Sequence, residues 1–228
     1  MDHDLITFDL DGTLVDTAAE IAEAANRALE AHGLAWRPPA EIVLLIGAGA
    51  HSLVRELLLR CAAEDMHGAV VPTEAVLEAF EHGYADIAGT LSAPYPGCVV
   101  ALTRLRAAGL NLACVTNKEL RHARTVLRKT GLEDFFETIV GGDSFEHKKP
   151  HPSVLRRVAA DLGIGLQRVA HVGDSAIDVA AARNAGVAAW AVPYGYNAGT
   201  PVAECNPDRM FDDLAHVADY LLGRATGG

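Results

Sequence analysis

Five short runs along the chain are rich in β-branched and apolar residues and end in small polar or charged ones. They are LITFD from Leu5, NLACVT from Asn111, TIVGG from Thr138, RVAHVG from Arg168 and AAWAV from Ala188. Alternating with the later four are segments apolar at helical spacing: GCVVALTRLRAAG, KELRHARTVLRKTG, PSVLRRVAADLG and AIDVAAARNAG. Each closes on a glycine (Gly109, Gly131, Gly163, Gly186), the residue that most easily takes the left-handed conformation ending a helix. Strands alternating with helices predict an α/β fold: a Rossmann-like parallel sheet with helices on both faces. In such sheets ligands bind beyond the carboxyl ends of the strands, near the point where strand order reverses.

Residues 18–91 break the alternation. AAEIAEAANRALEAHG, SLVRELLLRCAAEDM and TEAVLEAFEHGYADIA follow one another as helix after helix. The simplest account is a small all-helical cap inserted after the first strand, with a catalytic core formed by residues 1–17 and 92–228. Thr17-Ala18-Ala19-Glu20 fits a capping box and sets the first helix start, and PYPG at 94–97 marks the return to the core. The apolar stretch IVLLIGAGA at 42–50 is far too short to span a bilayer. The closing GRATGG reads as a frayed end.

Composition narrows the function. A chain of 228 residues, half of them hydrophobic, buries a real core. Its formal net charge of −11 argues against nucleic-acid or anionic-membrane partners, so an anionic ligand needs a locally positive site. Four scattered cysteines, Cys61, Cys98, Cys114 and Cys205, form no CxxC pair and suit a reducing cytoplasm. No basic, apolar leader opens the sequence. A monomer or homodimer is expected.

The candidate chemistry sits at the strand ends. Asp9 and Asp11 end the first strand in FDLDGTLVDT, and Thr116-Asn117-Lys118 ends the second. His147-Lys148-Lys149-Pro150 follows the third, and Gly173-Asp174-Ser175 ends the fourth, with Asp178 one helical turn on. Clustered carboxylates suit a hard, oxygen-seeking cation such as Mg²⁺. A hydroxyl, helix N-terminal N–H groups and a lysine suit a phosphoryl group. Together they describe phosphoryl transfer to an aspartate nucleophile, with a neighbouring carboxyl carrying protons. Lys148 and Lys149 compete for the phosphate. Asp178 fits two roles, metal binding or capping its helix through Ser175-x-x-Asp178. Asp16 reads as a structural loop residue.

These four elements resemble, residue by residue, the motifs of the haloacid dehalogenase superfamily: Asp9-Leu10-Asp11-Gly12-Thr13, Thr116-Asn117, Lys149 before Pro150, and Gly173-Asp174-Ser175 with Asp178. The resemblance implies that Asp9 is the nucleophile and Asp11 the acid/base. It also implies that Asp9, the Asp11 carbonyl and Asp174 bind Mg²⁺, with Asp178 behind them, and that Thr116, Asn117 and Lys149 hold the phosphate. Lys149 is preferred over Lys148 because it directly precedes the proline. Softer likenesses to bacterial phosphoglycolate phosphatases lie in IGAGAHSLVRELL (46–58), YPG (95–97), KKPHP (148–152) and PYGYN (193–197). They imply 2-phosphoglycolate as the small phosphorylated substrate, with phosphatases of sugar phosphates, amino-sugar phosphates or pyrophosphate as neighbours. The carboxylate of such a substrate points to the cap, where Gly49 leads into a helix N-terminus and Arg55 lies one turn inside.

Three rivals remain. IVLLIGAGAHS has the look of a dinucleotide GxGxxG fingerprint, though Ser52 replaces its third glycine. A phospho-receiver also uses an aspartate, Mg²⁺, a hydroxyl and a lysine, and a sugar-phosphate mutase shares the fold.

Overall fold

A computed structural model describes residues 2–64 and 71–223. Six parallel strands form the central sheet: β1 (Leu5–Phe8), β4 (Asn111–Val115), β5 (Thr138–Val140), β6 (Val169–Gly173), β7 (Ala188–Ala191) and β8 (Arg209–Met210). Their order is β5-β4-β1-β6-β7-β8. A two-stranded antiparallel ribbon pairs β2 (Val15–Asp16) with β3 (Ala93–Pro94). Each of the five strands expected from the pattern is present, and β8 joins them at the edge.

Alternation along the strands builds two cores. Ile6, Phe8, Leu112, Cys114, Ala170 and Val172 point to one face, where they meet α5 (Cys98–Ala107), α6 (Leu120–Lys129) and α9 (Leu214–Leu221). Leu5, Ala113, Val115, Val169, Ala189 and Ala191 point to the other, against α7 (Ser153–Asp161) and α8 (Ala176–Ala185). Fully burying one such aliphatic side chain contributes roughly 1.5–3 kcal/mol. The glycines expected after α5, α6, α7 and α8 all carry positive φ, as at Gly186 (+80°).

Between β2 and β3 the chain forms α1 (Ala18–Ala31), α2 (Pro39–Val43), α3 (Ala50–Glu64) and α4 (Thr73–Ile87), and α1 packs on α4 and α2. The departing and returning segments therefore run side by side as the β2–β3 ribbon. The expected reach of α3 to Met66 lies outside the described residues, as does the tail from 224. Among the described residues no helix is long and apolar enough to cross a membrane.

The capping box expected at Thr17–Glu20 is not formed. Thr17 Oγ1 donates instead to Asp11 Oδ1 (2.7 Å), and Glu20 is buried, accepting from the Tyr84 hydroxyl (2.6 Å) and Gly89 N (2.9 Å). The free N–H groups of Thr17 and Ala18 donate to the Tyr196 hydroxyl oxygen, at 2.8 and 3.0 Å. That hydroxyl in turn donates to Asp16 (2.6 Å), a contact that fits the reading of Asp16 as a structural loop residue. The dinucleotide reading also fails on geometry, because residues 39–43 form a short helix and no strand leads into Gly47 from α1 onward.

Candidate active site

Strand order reverses across β1, with β4 on one side and β6 on the other. Asp9 follows β1 and its N–H donates to Val172 O (2.9 Å), which seats it beside the end of β6. The chain then turns tightly, with the N–H groups of Thr13, Leu14 and Val15 all directed at Leu10 O. Gly12 has φ +85°, and a Cβ there would lie 2.5 Å from Asp174 Oδ2. Glycine alone lets this loop take that conformation and press on the carboxylate at the end of β6.

Lys149 lies at the centre of the buried charges. Its Nζ is 2.9 Å from Asp9 Oδ1 and 2.7 Å from Asp178 Oδ1. Burial opposes its charge, but Asp178 and Asp9 override that and hold the ammonium above its ordinary range. Asp178 is committed on both oxygens. Oδ1 accepts from Lys149 and faces His171 Nε2 (3.2 Å), while Oδ2 accepts from Ser175 N (3.1 Å) and Ser175 Oγ (2.6 Å). Burial works against its ionisation too, yet Lys149 and His171 hold it well below the usual carboxylate range. The capping box at Ser175 is thus real, and Asp178 both starts α8 and anchors Lys149. His171, whose Nδ1 faces Thr7 Oγ1 (2.8 Å), completes this support.

Asp174 accepts from Thr13 Oγ1 (2.8 Å) through Oδ1 and from Tyr196 N (2.7 Å) through Oδ2. Asp11 faces another way: beyond the Thr17 bond, its Oδ2 lies 3.1 Å from Lys118 Nζ. Thr116 Oγ1 accepts from Lys118 N (3.2 Å), which leaves its own hydrogen free to donate. Asn117, expected on the phosphate, spends its amide hydrogens on Gly47 O (3.1 Å) and Lys149 O (2.9 Å), so its side chain braces two loops.

Asp9, Asp11, Thr116, Asn117, Lys118 and Glu119 form the floor of a cavity of ≈ 40 Å³. Its roof is apolar: Ile21, Leu45, Ile46, Leu53, Phe80 and Tyr84, with Gly49 and Ala50 at the start of α3. Lys148 Nζ donates to Ala48 O (2.7 Å), so of the two competing lysines it is Lys149 that reaches Asp9. Gly49 has φ +89°, and a Cβ would lie 2.9 Å from Lys148 Nζ and 3.0 Å from Asn117 O. Arg55 does not reach the cavity. Its side chain is 58% exposed and pairs with Glu56, because one turn into α3 points it away from the roof.

The family model described as haloacid dehalogenase-like hydrolase matches residues 6–192. The chain belongs to the haloacid dehalogenase-like hydrolases. Within this family, a phosphoglycolate phosphatase of Psychrobacter arcticus is 35% identical over 97% of each chain. A plasmid-borne phosphoglycolate phosphatase of Cupriavidus necator is 41% identical, covering 95% of this chain and 92% of its own. The crystal structure of a predicted phosphoglycolate phosphatase from Haemophilus somnus superposes with a TM-score of 0.92, at 31% identity and over 99% of each chain.

The carboxylates of this hydrolase fit a hard divalent cation. Asp9, Asp174 and Asp178 each bring an oxygen within 4.8 Å of the others. Asp178 has no oxygen to spare, which leaves Asp9 and Asp174 as the carboxylates of this cluster that could hold the ion. Buried Asp9 Oδ1 makes an ion-pair contact with Lys149 but no well-formed hydrogen bond. Burial, eased by Lys149 and reinforced by Asp178, pushes Asp9 up to about 6. Burial and repulsion from Asp178 and Asp9 push Asp174 up to about 8. These are charges that the protein alone leaves under-compensated.

Both folded values lie above the ordinary carboxylate value, so the metal-free fold holds protons that the unfolded chain has released. The stability from these groups is full in acid below the ordinary value and is lost as pH rises through about 6 and then about 8. Asp178, held low, acts oppositely and only in strong acid. Chelator-treated protein should lose Tm from about pH 5 to about pH 9, and saturating Mg²⁺ should raise Tm more at the alkaline end. Equal Mg²⁺ shifts in thermal melts at both ends would contradict the ligand assignment.

Proposed function

We propose that this hydrolase is a Mg²⁺-dependent phosphate monoester hydrolase that works through an aspartyl-phosphate on Asp9, with 2-phosphoglycolate as its substrate. One observation carries the reading: Asp9 keeps a buried carboxylate oxygen without a well-formed hydrogen bond at the cavity floor, beside Lys149, with a second carboxyl, Asp11, facing the same cavity. Asp9 attacks phosphorus as the bond to the alcohol oxygen breaks, and Asp11 gives that oxygen its proton. Asp11 then takes a proton from the water that attacks the phosphoaspartate, which frees phosphate and restores both carboxyls. Thr116 and Lys149 orient the phosphoryl oxygens. Bound Mg²⁺ would supply charge compensation between Asp9, Asp174 and the phosphoryl group. Helices α1–α4 serve as a cap whose apolar roof excludes water during the reaction.

The phosphoglycolate phosphatases that match nearly the whole chain support the choice of substrate. The apolar roof of the cavity also suits a short substrate better than a sugar, whose hydroxyl groups would lose water there without gaining partners. A reducing cytoplasm suits the four unpaired cysteines. The test is phosphate release from a panel of small monoesters and pyrophosphate, with Mg²⁺ and with chelator. The expected result is fastest release from 2-phosphoglycolate and none with chelator. Preference for a sugar phosphate, or an isomerised sugar phosphate in place of free phosphate, would overturn the substrate or the reaction. A phosphoprotein stable for minutes would instead mark a phospho-receiver.

A further inference from the structure

Lys118 is the one basic side chain among the described residues lining the cavity. It is 8% exposed, with Nζ 3.1 Å from Asp11 Oδ2 and 4.5 Å from the centre of the Tyr84 ring. An ammonium withdrawn from water needs compensation, and a carboxylate with an aromatic face supplies part of it. Nζ carries three N–H donors, so these two contacts leave one uncommitted.

The surroundings restrict what that donor meets. Ile21, Leu45, Ile46, Leu53 and Phe80 have no polar side-chain atoms, and the Tyr84 hydroxyl is spent on Glu20. Lys148 is tied to Ala48 O, Lys149 faces Asp9 and Asp178, and Arg55 points to solvent. A second anion on a substrate would find its countercharge at Lys118. In the reading given above, Asp11 protonates the departing oxygen. The carboxylate of glycolate is one methylene from that oxygen, which places it next to the ammonium already touching Asp11.

We propose that Lys118 is the specificity-determining residue of this site, its ammonium taking the carboxylate of a short phosphorylated hydroxy acid while still in contact with Asp11. The start of α3, at Gly49 and Ala50, lines the same cavity, and a helix N-terminus carries free N–H groups that favour an anion. This inference rests on the phosphatase reading and adds the group that selects the leaving alcohol.

The test compares 2-phosphoglycolate with ethyl phosphate, which carries a methyl in place of the carboxylate. kcat/KM is measured for both esters in wild type, Lys118→Met, Lys118→Gln and Lys118→Arg. Wild type should prefer 2-phosphoglycolate. In Lys118→Met and Lys118→Gln both rates fall, since Asp11 loses its neighbour, but the ratio between the esters drops about tenfold or more, the scale of one charge-assisted hydrogen bond. Lys118→Arg should keep most of the ratio. An unchanged ratio in whichever of Met or Gln folds, or no preference in wild type, would overturn the assignment. Failure of wild type on every monoester would instead overturn the phosphatase reading, before any substitution is made.

Discussion

Asp9→Asn should release no measurable phosphate from 2-phosphoglycolate, a loss of about four orders of magnitude or more in kcat, as expected when a nucleophile is removed. The substitution keeps the shape and removes one negative charge from a buried cluster that repels itself. Lys149 retains Asp178 as its partner at 2.7 Å. The metal-free variant should therefore melt at or above the wild-type temperature, and its Mg²⁺-induced stabilisation should shrink because one of the two carboxylate ligands is gone. Steady-state kinetics and thermal melts together check this. Turnover comparable to wild type would remove Asp9 from the chemistry. A collapse of the metal-free fold would show that its charge is structural.

Lys149→Met should have the largest effect on stability. Lys149 is the buried cation between Asp9 and Asp178, and both carboxylates are themselves buried. Removing one partner of a buried charge pair leaves the other uncompensated, at a cost of about 3–5 kcal/mol. For a chain of this size each kcal/mol moves Tm by about 2–4 °C, so the melt should fall by roughly 6–20 °C. Loss of phosphate orientation should cut kcat/KM by about two orders of magnitude or more. Lys148→Met is the internal comparison. It removes one hydrogen bond to Ala48 O, worth about 1.5–3 kcal/mol for a charged donor, and no contact with Asp9. If the two variants lose activity equally, Lys149 has no special place at the phosphate.

Much of this site was legible in the sequence because strand ends converge. Asp9, Thr116, Lys149 and Asp174 are far apart in the chain, yet each follows a run whose period marked it as a strand, and a parallel sheet brings such ends together. The sequence leaves Asp178 open between capping its helix and metal binding, and its four hydrogen-bond contacts give it to the start of α8 and to Lys149.

What was not legible lies in contacts without a local signature. Distance from a helix start points Arg55 at the cavity, but the direction of a helical side chain depends on where the helix docks. Tyr196 stands in for the capping box from 179 residues away. Its PYGYN loop stands out in the sequence, but nothing in it names a helix terminus as its partner. His171 sits in a strand whose pattern reads as core, and only the approach of α8 turns it towards Asp178. β8 is two exposed residues with no periodicity to detect, and α9 follows it unread. Lys118 was visible beside Thr116 and Asn117, but its task depends on Asp11 and on Tyr84 from the helical layer above.

The most direct test of the two-step mechanism uses Asp11→Asn with p-nitrophenyl phosphate, whose leaving group departs without a proton. Loss of Asp11 then spares the first step and stalls the second, where a base must act on water. Rapid mixing should show a burst of nitrophenolate stoichiometric with enzyme, and mass spectrometry of the quenched protein should place one phosphoryl group on Asp9. Steady nitrophenolate release with no burst and unmodified protein, or a phosphoryl group on any residue other than Asp9, would contradict it.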